Sequence, residues 1–164
     1  MVMRTRRNVA GFIAVAALGF GLLKGRMRRY VVADESMLPT LFPEDYLLTT
    51  RLTRRPGRGD VIVVRHPTNS TMEIVKRVVG LPGETLEVSA GQVHVDGGVV
   101  AEPWADGPTH PDGTWHLGPD DIFVLSDARS RTLDDSRTFG PIDASATLWK
   151  VVAVYWPLRH RRRF

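Results

Sequence analysis

The sequence predicts a mainly β protein, a compact antiparallel sandwich or barrel-like domain that follows one apolar N-terminal segment. Three observations support this fold class. From residue 30 onward, short runs rich in Val, Ile, Thr and Tyr alternate with breaks such as RRPGRGD, LPGE and DGG, a spacing typical of all-β domains. Outside residues 8–25, no stretch has the apolar periodicity of a helix. The 164 residues include no cysteine, so one domain must fold on its hydrophobic core alone.

The first element is an uncharged run, VAGFIAVAALGFGLL, at residues 9–23. It is shorter than the ~20 residues of a relaxed membrane span, but basic side chains on both flanks can snorkel and extend its reach. A cleaved signal peptide is the alternative interpretation. The run is followed by the basic cluster KGRMRR and not by a small-x-small site, which favours an uncleaved single-pass anchor over residues 1–29. Basic residues on both sides leave its orientation open.

The next elements are eight predicted strands. They cover residues 30–33, 46–50, 60–65, 72–79, 85–88, 92–95, 122–125 and 148–156. Residues 101–121 are rich in Pro and Gly and predict a long surface loop. The domain boundaries that follow are an anchor at 1–29, a β-rich domain at 30–158 and a basic tail at 159–164.

Charge is distributed unevenly along the chain. The net charge is +4, yet residues 1–29 hold seven basic and no acidic side chains, and residues 159–164 hold four arginines. The domain between them carries 11 basic and 18 acidic residues. A nucleic-acid-binding domain would place its basic patch on the folded body, so no nucleic-acid partner is expected. Basic flanks around an apolar segment instead suit anionic membrane lipids.

Two residues can combine into a catalytic pair. A serine hydroxyl becomes a nucleophile when a base takes its proton, and a buried lysine can be neutral enough to serve. Ser36 lies in the turn-like segment ESMLPTL, and Lys76 and Lys150 lie in apolar runs. Each has an ordinary alternative, a turn serine or an outward-facing strand lysine, and the residues alone do not choose between the lysines. The five histidines lack metal-ligand spacing, so neither a metal nor a cofactor is expected.

Four segments in order resemble the type I signal peptidase family: ESMLPTL, RPGRGDVIVVRHP, EIVKRVVGLPGE and FVLSDARSRTLDDSRTFGPI. The resemblance extends from about residue 1 to residue 157. It implies the compact, bacterial form of the signal-peptidase fold with one transmembrane helix, and a serine endopeptidase that uses a Ser/Lys dyad. On this ground Ser36 is the expected nucleophile and Lys76 the general base, with Arg77 beside it.

The resemblance also assigns supporting residues. Asp127, Asp135 and Arg137 of the terminal motif are expected to be structural ion-pair supports. Ser126 and Ala128 stand where the family has Gly and Asn, and one extra residue precedes the Asp-Ser-Arg of this motif. Thr132 is the candidate for the hydroxyl that steadies the lysine amine.

The oxyanion site departs from the family pattern. Many members have Ser, Thr or Gly two residues before the nucleophile, whereas this chain has Asp34. An ionised carboxylate cannot donate a hydrogen bond and repels a developing oxyanion. Asp34 is therefore expected to point away, leaving the Ser36 N–H as donor, or else the site is built differently. A carboxylate at this position would also raise the pKa of Lys76.

The implied partners are signal-peptide-bearing preproteins, cleaved after Ala-x-Ala, with Met37, Leu41 and Val75 lining shallow pockets. The implied location is the bacterial cell membrane, with the catalytic domain on the extracytoplasmic side. Three alternatives remain: a dedicated protease for one client, such as a nickel superoxide dismutase precursor; a self-cleaving repressor, disfavoured because residues 1–29 hold no helix-turn-helix; and a non-catalytic membrane-tethered β module.

Overall fold

The computed structural model describes residues 26–164, apart from the side chain of Leu148. The described chain is mainly antiparallel β structure, as predicted. Its strands are β1 (Met27–Val31), β2 (Tyr46–Arg51), β3 (Val61–His66), β4 (Asn69–Gly80), β5 (Thr85–Ser89), β6 (Gln92–Val95), β7 (Gly98–Val99), β8 (Gly113–His116), β9 (Asp121–Leu125), β10 (Ile142–Asp143), β11 (Thr147–Trp156) and β12 (Arg162–Arg163). One short helix, α1 (Ser136–Phe139), and two 3₁₀ turns, Ala144–Ala146 and Leu158–His160, complete the described elements.

The strands form two sheets. The larger has eight strands in the order β1-β2-β11-β3-β4-β9-β10, with β12 beside β11. The smaller has four, in the order β7-β6-β5-β8. Because β4 turns directly into β5 through the LPGE segment, the small sheet extends from the end of the strand that carries the predicted base.

The core lies on both faces of the larger sheet, which explains the continuous apolar runs of its central strands. In β3, Val61 and Val63 pack into one cluster with the segment after β1, while Ile62 and Val64 pack into a second with β4 and β9. A third cluster joins β4 and β9 to the small sheet. The β3–β4 register pairs Ile62 with Lys76, and this pairing fixes the position of the lysine backbone.

Gly80 lies where β4 packs tightly against Phe123 of β9 and against Leu117, which follows β8. A Cβ atom built there would lie 2.8 Å from the Phe123 Cβ and 2.9 Å from the Leu117 Cδ2. Both distances are shorter than side chains tolerate, so this position requires glycine for packing.

The structure corrects the sequence-based elements at several places. The predicted loop at 101–121 contains strand β8, which pairs with β5. Arg162 and Arg163, assigned to the tail, form β12 against Val154 and Ala153 of β11. β1 begins at Met27, inside the segment assigned to the anchor. These short strands are stabilised by pairing with longer neighbours, and their own sequences carry too few residues to show a period.

The predicted anchor lies largely outside the described residues. Within residues 26–164, no helix is long and apolar enough to cross a membrane. The transmembrane helix therefore stays a prediction from the sequence.

Candidate active site

Ser36 begins a tight turn five residues after the end of β1. The turn is closed by hydrogen bonds from the Leu38 N–H to the Glu35 carbonyl, at 3.2 Å, and from the Leu41 N–H to the Met37 carbonyl, at 2.7 Å. The Ser36 carbonyl accepts from the Ala128 N–H at 3.0 Å. The terminal motif thus holds the backbone of the predicted nucleophile, and only 7% of Ser36 is exposed.

Lys76 lies in the middle of β4 with 1% of its surface exposed. Its Nζ donates a hydrogen bond to the Ser36 Oγ at 3.1 Å. The structure therefore brings together two residues that are forty positions apart in the sequence. Lys150, the other candidate in the domain, instead forms a salt bridge with Asp60.

The burial of Lys76 lowers the pKa of its amine despite nearby carboxylates. Burial lowers the pKa of the Lys76 amine, because an apolar environment disfavours the ammonium ion. The carboxylates of Asp34, Asp134 and Asp135 oppose this effect and Arg137 adds to it, but the pKa stays below the ordinary lysine value. The expected rise caused by Asp34 is present but is outweighed by burial.

Asp34 points toward the serine and not away from it. Its Oδ1 accepts a hydrogen bond from the Ser36 N–H at 2.9 Å. Burial disfavours the ionised form, but hydrogen bonding with the Ser36 hydroxyl and backbone, together with the Lys76 charge, holds the pKa of Asp34 below its usual value. The expectation that Asp34 turns away is corrected, because this Asx-type turn pairs a free carboxylate with a backbone donor.

Arg77 supports the site from the opposite side of β4. Its Nε and Nη2 donate to the two carboxylate oxygens of Asp127 at 2.8 and 2.6 Å. It also donates to the Thr40 Oγ1 at 3.1 Å, and its guanidinium lies 4.6 Å from the Trp104 ring centroid. Asp127 is fully buried, so this bidentate pair joins the base strand, the nucleophile turn and the terminal motif.

A second buried pair organises the terminal motif. The Nε and Nη2 of Arg137 donate to the carboxylate of Asp135 at 2.9 and 2.8 Å. The same carboxylate accepts from the Ser126 N–H at 3.0 Å. Burial opposes ionisation, but Arg137 and the backbone donors keep the pKa of Asp135 below its usual value. The contacts of Arg77, Asp127, Asp135 and Arg137 are those of structural supports.

The hydroxyl of Thr132 has a local partner. Its Oγ1 accepts from the Asp134 N–H at 3.0 Å, since the extra residue in the motif closes a Thr-containing turn at this point. Ser126, by contrast, has a buried hydroxyl with no hydrogen-bond partner among the described residues. β9 and β4 pair Leu125 with Arg77, so Ser126 is next in register to Lys76.

Sequence reasoning missed the contacts made by residues 101–112. Glu102 forms a salt bridge with the buried Arg129, which also donates to the Thr109 hydroxyl, and Trp104 stacks on Arg77. These residues lie in a Pro- and Gly-rich segment with no periodic pattern, so no signal in the sequence marks their partners.

The predicted pocket residues lie in the hydrophobic core or against it. Met37 and Leu41 are fully buried in the first core cluster, and Val75 is half-buried against it. β4 pairs with β3 along its first part but with β9 only from Arg77 onward. Among the described residues, the edge of β4 that leads to Lys76 thus has no strand partner.

β1 is the terminal strand of the larger sheet, and its Tyr30 packs with Val75 of β4 against the first core cluster. Burial raises the pKa of the Tyr30 hydroxyl, Arg28 lowers it, and the Glu73 carboxylate of β4 raises it. An extended peptide could pair with the unpartnered edge of β4 that leads to Lys76.

Comparisons with known proteins agree with this geometry. The family model described as signal peptidase, peptidase S26, matches residues 5–156. A signal peptidase I of Leptolyngbya laminosa is 34% identical, with 90% of this chain and 77% of that protein covered. A signal peptidase I of Bacillus caldolyticus is also 34% identical, with 79% and 80% covered.

A solved structure supports the fold. The crystal structure of a signal peptidase I from Enterococcus faecalis V583 superimposes with a TM-score of 0.51 at 28% identity. The superposition covers 57% of this chain and 94% of that one.

Proposed function

Because the chain belongs to the signal peptidase family, peptidase S26, we propose that it is a membrane-bound serine endopeptidase that removes signal peptides from exported preproteins. The cleavage site is the carboxyl side of small residues of the Ala-x-Ala type. Ser36 is the nucleophile and Lys76 the general base. The observation that carries this proposal is the 3.1 Å hydrogen bond between the Lys76 Nζ and the Ser36 Oγ.

The burial of Lys76 supports its role as base. A lysine can take a proton near neutral pH only if its ammonium form is disfavoured. The amine is buried and its pKa is lowered chiefly by that burial. Its distance to the serine oxygen falls within the 2.6–3.2 Å range of a nucleophile and its base.

The chemical steps follow from this pair. Lys76 takes the proton of the Ser36 hydroxyl as the oxygen attacks the scissile carbonyl carbon, and the carbonyl oxygen becomes an oxyanion. The intermediate collapses, the C–N bond breaks, and Lys76 returns the proton to the leaving amine. Water then attacks the acyl-enzyme, giving its proton to Lys76, and the released serine oxygen is reprotonated.

Substrate binding uses the part of β4 that leads to Lys76, one edge of which has no strand partner among residues 26–164. An extended segment of the preprotein pairs with the free edge of β4, which places its scissile bond beside Ser36. Met37, Leu41 and Val75 are assigned to shallow pockets that accept only small side chains next to the cut. The N-terminal segment holds the domain at the bacterial membrane, with the domain on the extracytoplasmic side.

The test compares full-length wild type, Ser36→Ala and Lys76→Ala in membranes supplied with a preprotein. Both variants are expected to lose cleavage by a factor of at least ~10³. Lys150→Ala is the matched control, because it removes the other lysine of the domain, and it should cleave like wild type. Cleavage retained by either dyad variant would contradict the assignment.

A panel of unrelated signal peptides tests the breadth of the activity. Cleavage of most members is the expected result. Cleavage of one client alone would favour a dedicated maturation protease, and failure to cleave any would favour a non-catalytic module.

A further inference from the structure

The backbone N–H of Ser36 already has a hydrogen-bond acceptor in the structure. It donates to the Asp34 Oδ1 at 2.9 Å. This N–H belongs to the proposed nucleophile itself, so it lies next to the carbonyl carbon that the serine oxygen attacks. A donor at this position is placed to bind the oxyanion of the tetrahedral intermediate.

A carboxylate is a poor neighbour for that intermediate. It occupies the donor that the oxyanion needs, it cannot donate a hydrogen bond itself, and its charge repels the negative oxygen. Hydrogen bonds to a charged acceptor are about twice as strong as neutral ones. The hydrogen bond between the Ser36 N–H and Asp34 therefore competes with binding of the oxyanion during the reaction.

We propose that Asp34 is an internal occupant of the oxyanion site, which the scissile carbonyl oxygen must displace before Ser36 is acylated at full rate. This inference rests on the proposed function of Ser36. Asp34 then slows acylation, and with it turnover, unless the bound substrate places its scissile carbonyl oxygen well enough to displace the carboxylate.

The surroundings of Asp34 allow such a displacement. The residue is exposed, and Ser36 is the one residue to which it hydrogen-bonds among residues 26–164. Its carboxylate can therefore rotate into water, and the Ser36 N–H that it releases is then bound by the scissile carbonyl oxygen. The Ser36 backbone stays in place when the Asp34 carboxylate rotates away, because the Ser36 carbonyl accepts a separate hydrogen bond from the Ala128 N–H.

Asp34 also acts on the base, and the experiment must separate the two effects. The charged groups that face Lys76 are Asp34, Asp134, Asp135 and Arg137. Removing the Asp34 charge lowers the pKa of Lys76 further, which moves the acid limb of the pH–rate profile to lower pH. At pH values above that limb Lys76 is neutral in every variant, so a rate difference there reports the oxyanion site alone.

The test measures kcat and KM for a preprotein or signal-peptide substrate with full-length Asp34→Ala and Asp34→Asn at the high-pH plateau. Asp34→Ala frees the N–H, and kcat should rise about tenfold. Asp34→Asn keeps an acceptor but removes the charge, so its gain should be smaller. The matched control is Glu35→Gln, which removes the neighbouring exposed carboxylate paired with Arg131; its kcat should stay within about twofold of wild type.

Two results would overturn the inference. One is a plateau kcat for Asp34→Ala equal to or below that of wild type at unchanged melting temperature, which would make Asp34 a turn-forming or positioning residue. The other is an equal rise in Glu35→Gln, which would indicate a general charge effect. If Ser36→Ala cleaves in the same assay, the proposed function fails; if Ser36→Ala is inactive and Asp34→Ala shows no gain, only this inference fails.

Discussion

At the scale of single residues, the site combines a buried lysine, whose charged form is disfavoured by burial, with two buried arginines that form ion pairs. Lys76 is a cation-forming side chain with 1% exposure, and no carboxylate among residues 26–164 forms a salt bridge with its amine. The buried arginines of the site are paired with carboxylates: Arg77 with Asp127 and Arg137 with Asp135. Burial without a direct counter-ion lowers the pKa of the lysine amine, whereas the ion pairs hold the arginine side chains in place.

Lys76→Met is therefore expected to stabilise the protein while abolishing its activity. The folded-state pKa of Lys76 lies below the unfolded value of ~10.4. Between these two values the unfolded chain binds more protons, so wild-type stability rises with pH. Methionine removes this penalty, and each unit of pKa depression is worth about 1.4 kcal/mol near neutral pH.

The measurement is the free energy of unfolding in urea from pH 6 to 10 for the detergent-solubilised chain. The gain of Lys76→Met should shrink as the pH approaches ~10.4. Lys150→Met, which leaves Asp60 unpaired, should show no such gain. A Lys76→Met variant that is less stable than wild type at every pH would contradict the cost assigned to this burial.

At the scale of elements, the site depends on how β4 continues into the small sheet. β4 carries both Lys76, which contacts Ser36, and Arg77, which contacts Asp127. Three residues after Arg77, Gly80 packs closely against Phe123 and Leu117. The register of β4 with β9 shifts between Val78 and Gly80. A change at Gly80 therefore acts on the strand that carries the base.

Gly80→Ala is expected to destabilise the fold by about 1–3 kcal/mol, because the added methyl overlaps the Phe123 Cβ and the Leu117 side chain. Urea unfolding measures the loss. Gly98→Ala is the control, since its nearest contact would be the Val95 carbonyl at an ordinary 3.6 Å. Equal stabilities for the two variants would show that the sheets can move apart at Gly80 without cost.

The elements also show what the sequence could predict. The long strands β3, β4 and β11 were predicted within three residues, because continuous apolar runs bounded by Gly, Pro and Asp identify buried strands. β7, β8, β10 and β12 were not predicted. Three of them have only two residues and cannot display a period, and the four-residue β8 lies in a Pro- and Gly-rich segment that predicts a loop. Ser36 and Lys76 came from the motif resemblance, while the carboxylate of Asp34 on the Ser36 N–H depends on a turn conformation that no spacing specifies.

At the scale of the whole molecule, one sheet joins the end of the predicted N-terminal anchor to the candidate active site. β1 begins at Met27, shortly after the apolar run at 9–23, and ends at Val31, five residues before Ser36. A membrane-held domain of this kind would meet its substrate as an extended segment leaving the bilayer. The basic C-terminal residues Arg162 and Arg163 pair with Val154 and Ala153 of β11 in the same sheet.

The rate at which Ser36 is acylated, measured against pH in the full-length membrane protein, tests the Ser36–Lys76 pair most directly. An acylating substrate analogue with small residues is added, and the modified peptide is identified by mass spectrometry. The label should lie on Ser36, its rate should rise with pH through a pKa below the ordinary lysine value of ~10.4, and Lys76→Ala should remove it. A label on another residue, or the same rate in Lys76→Ala, would contradict the proposed dyad.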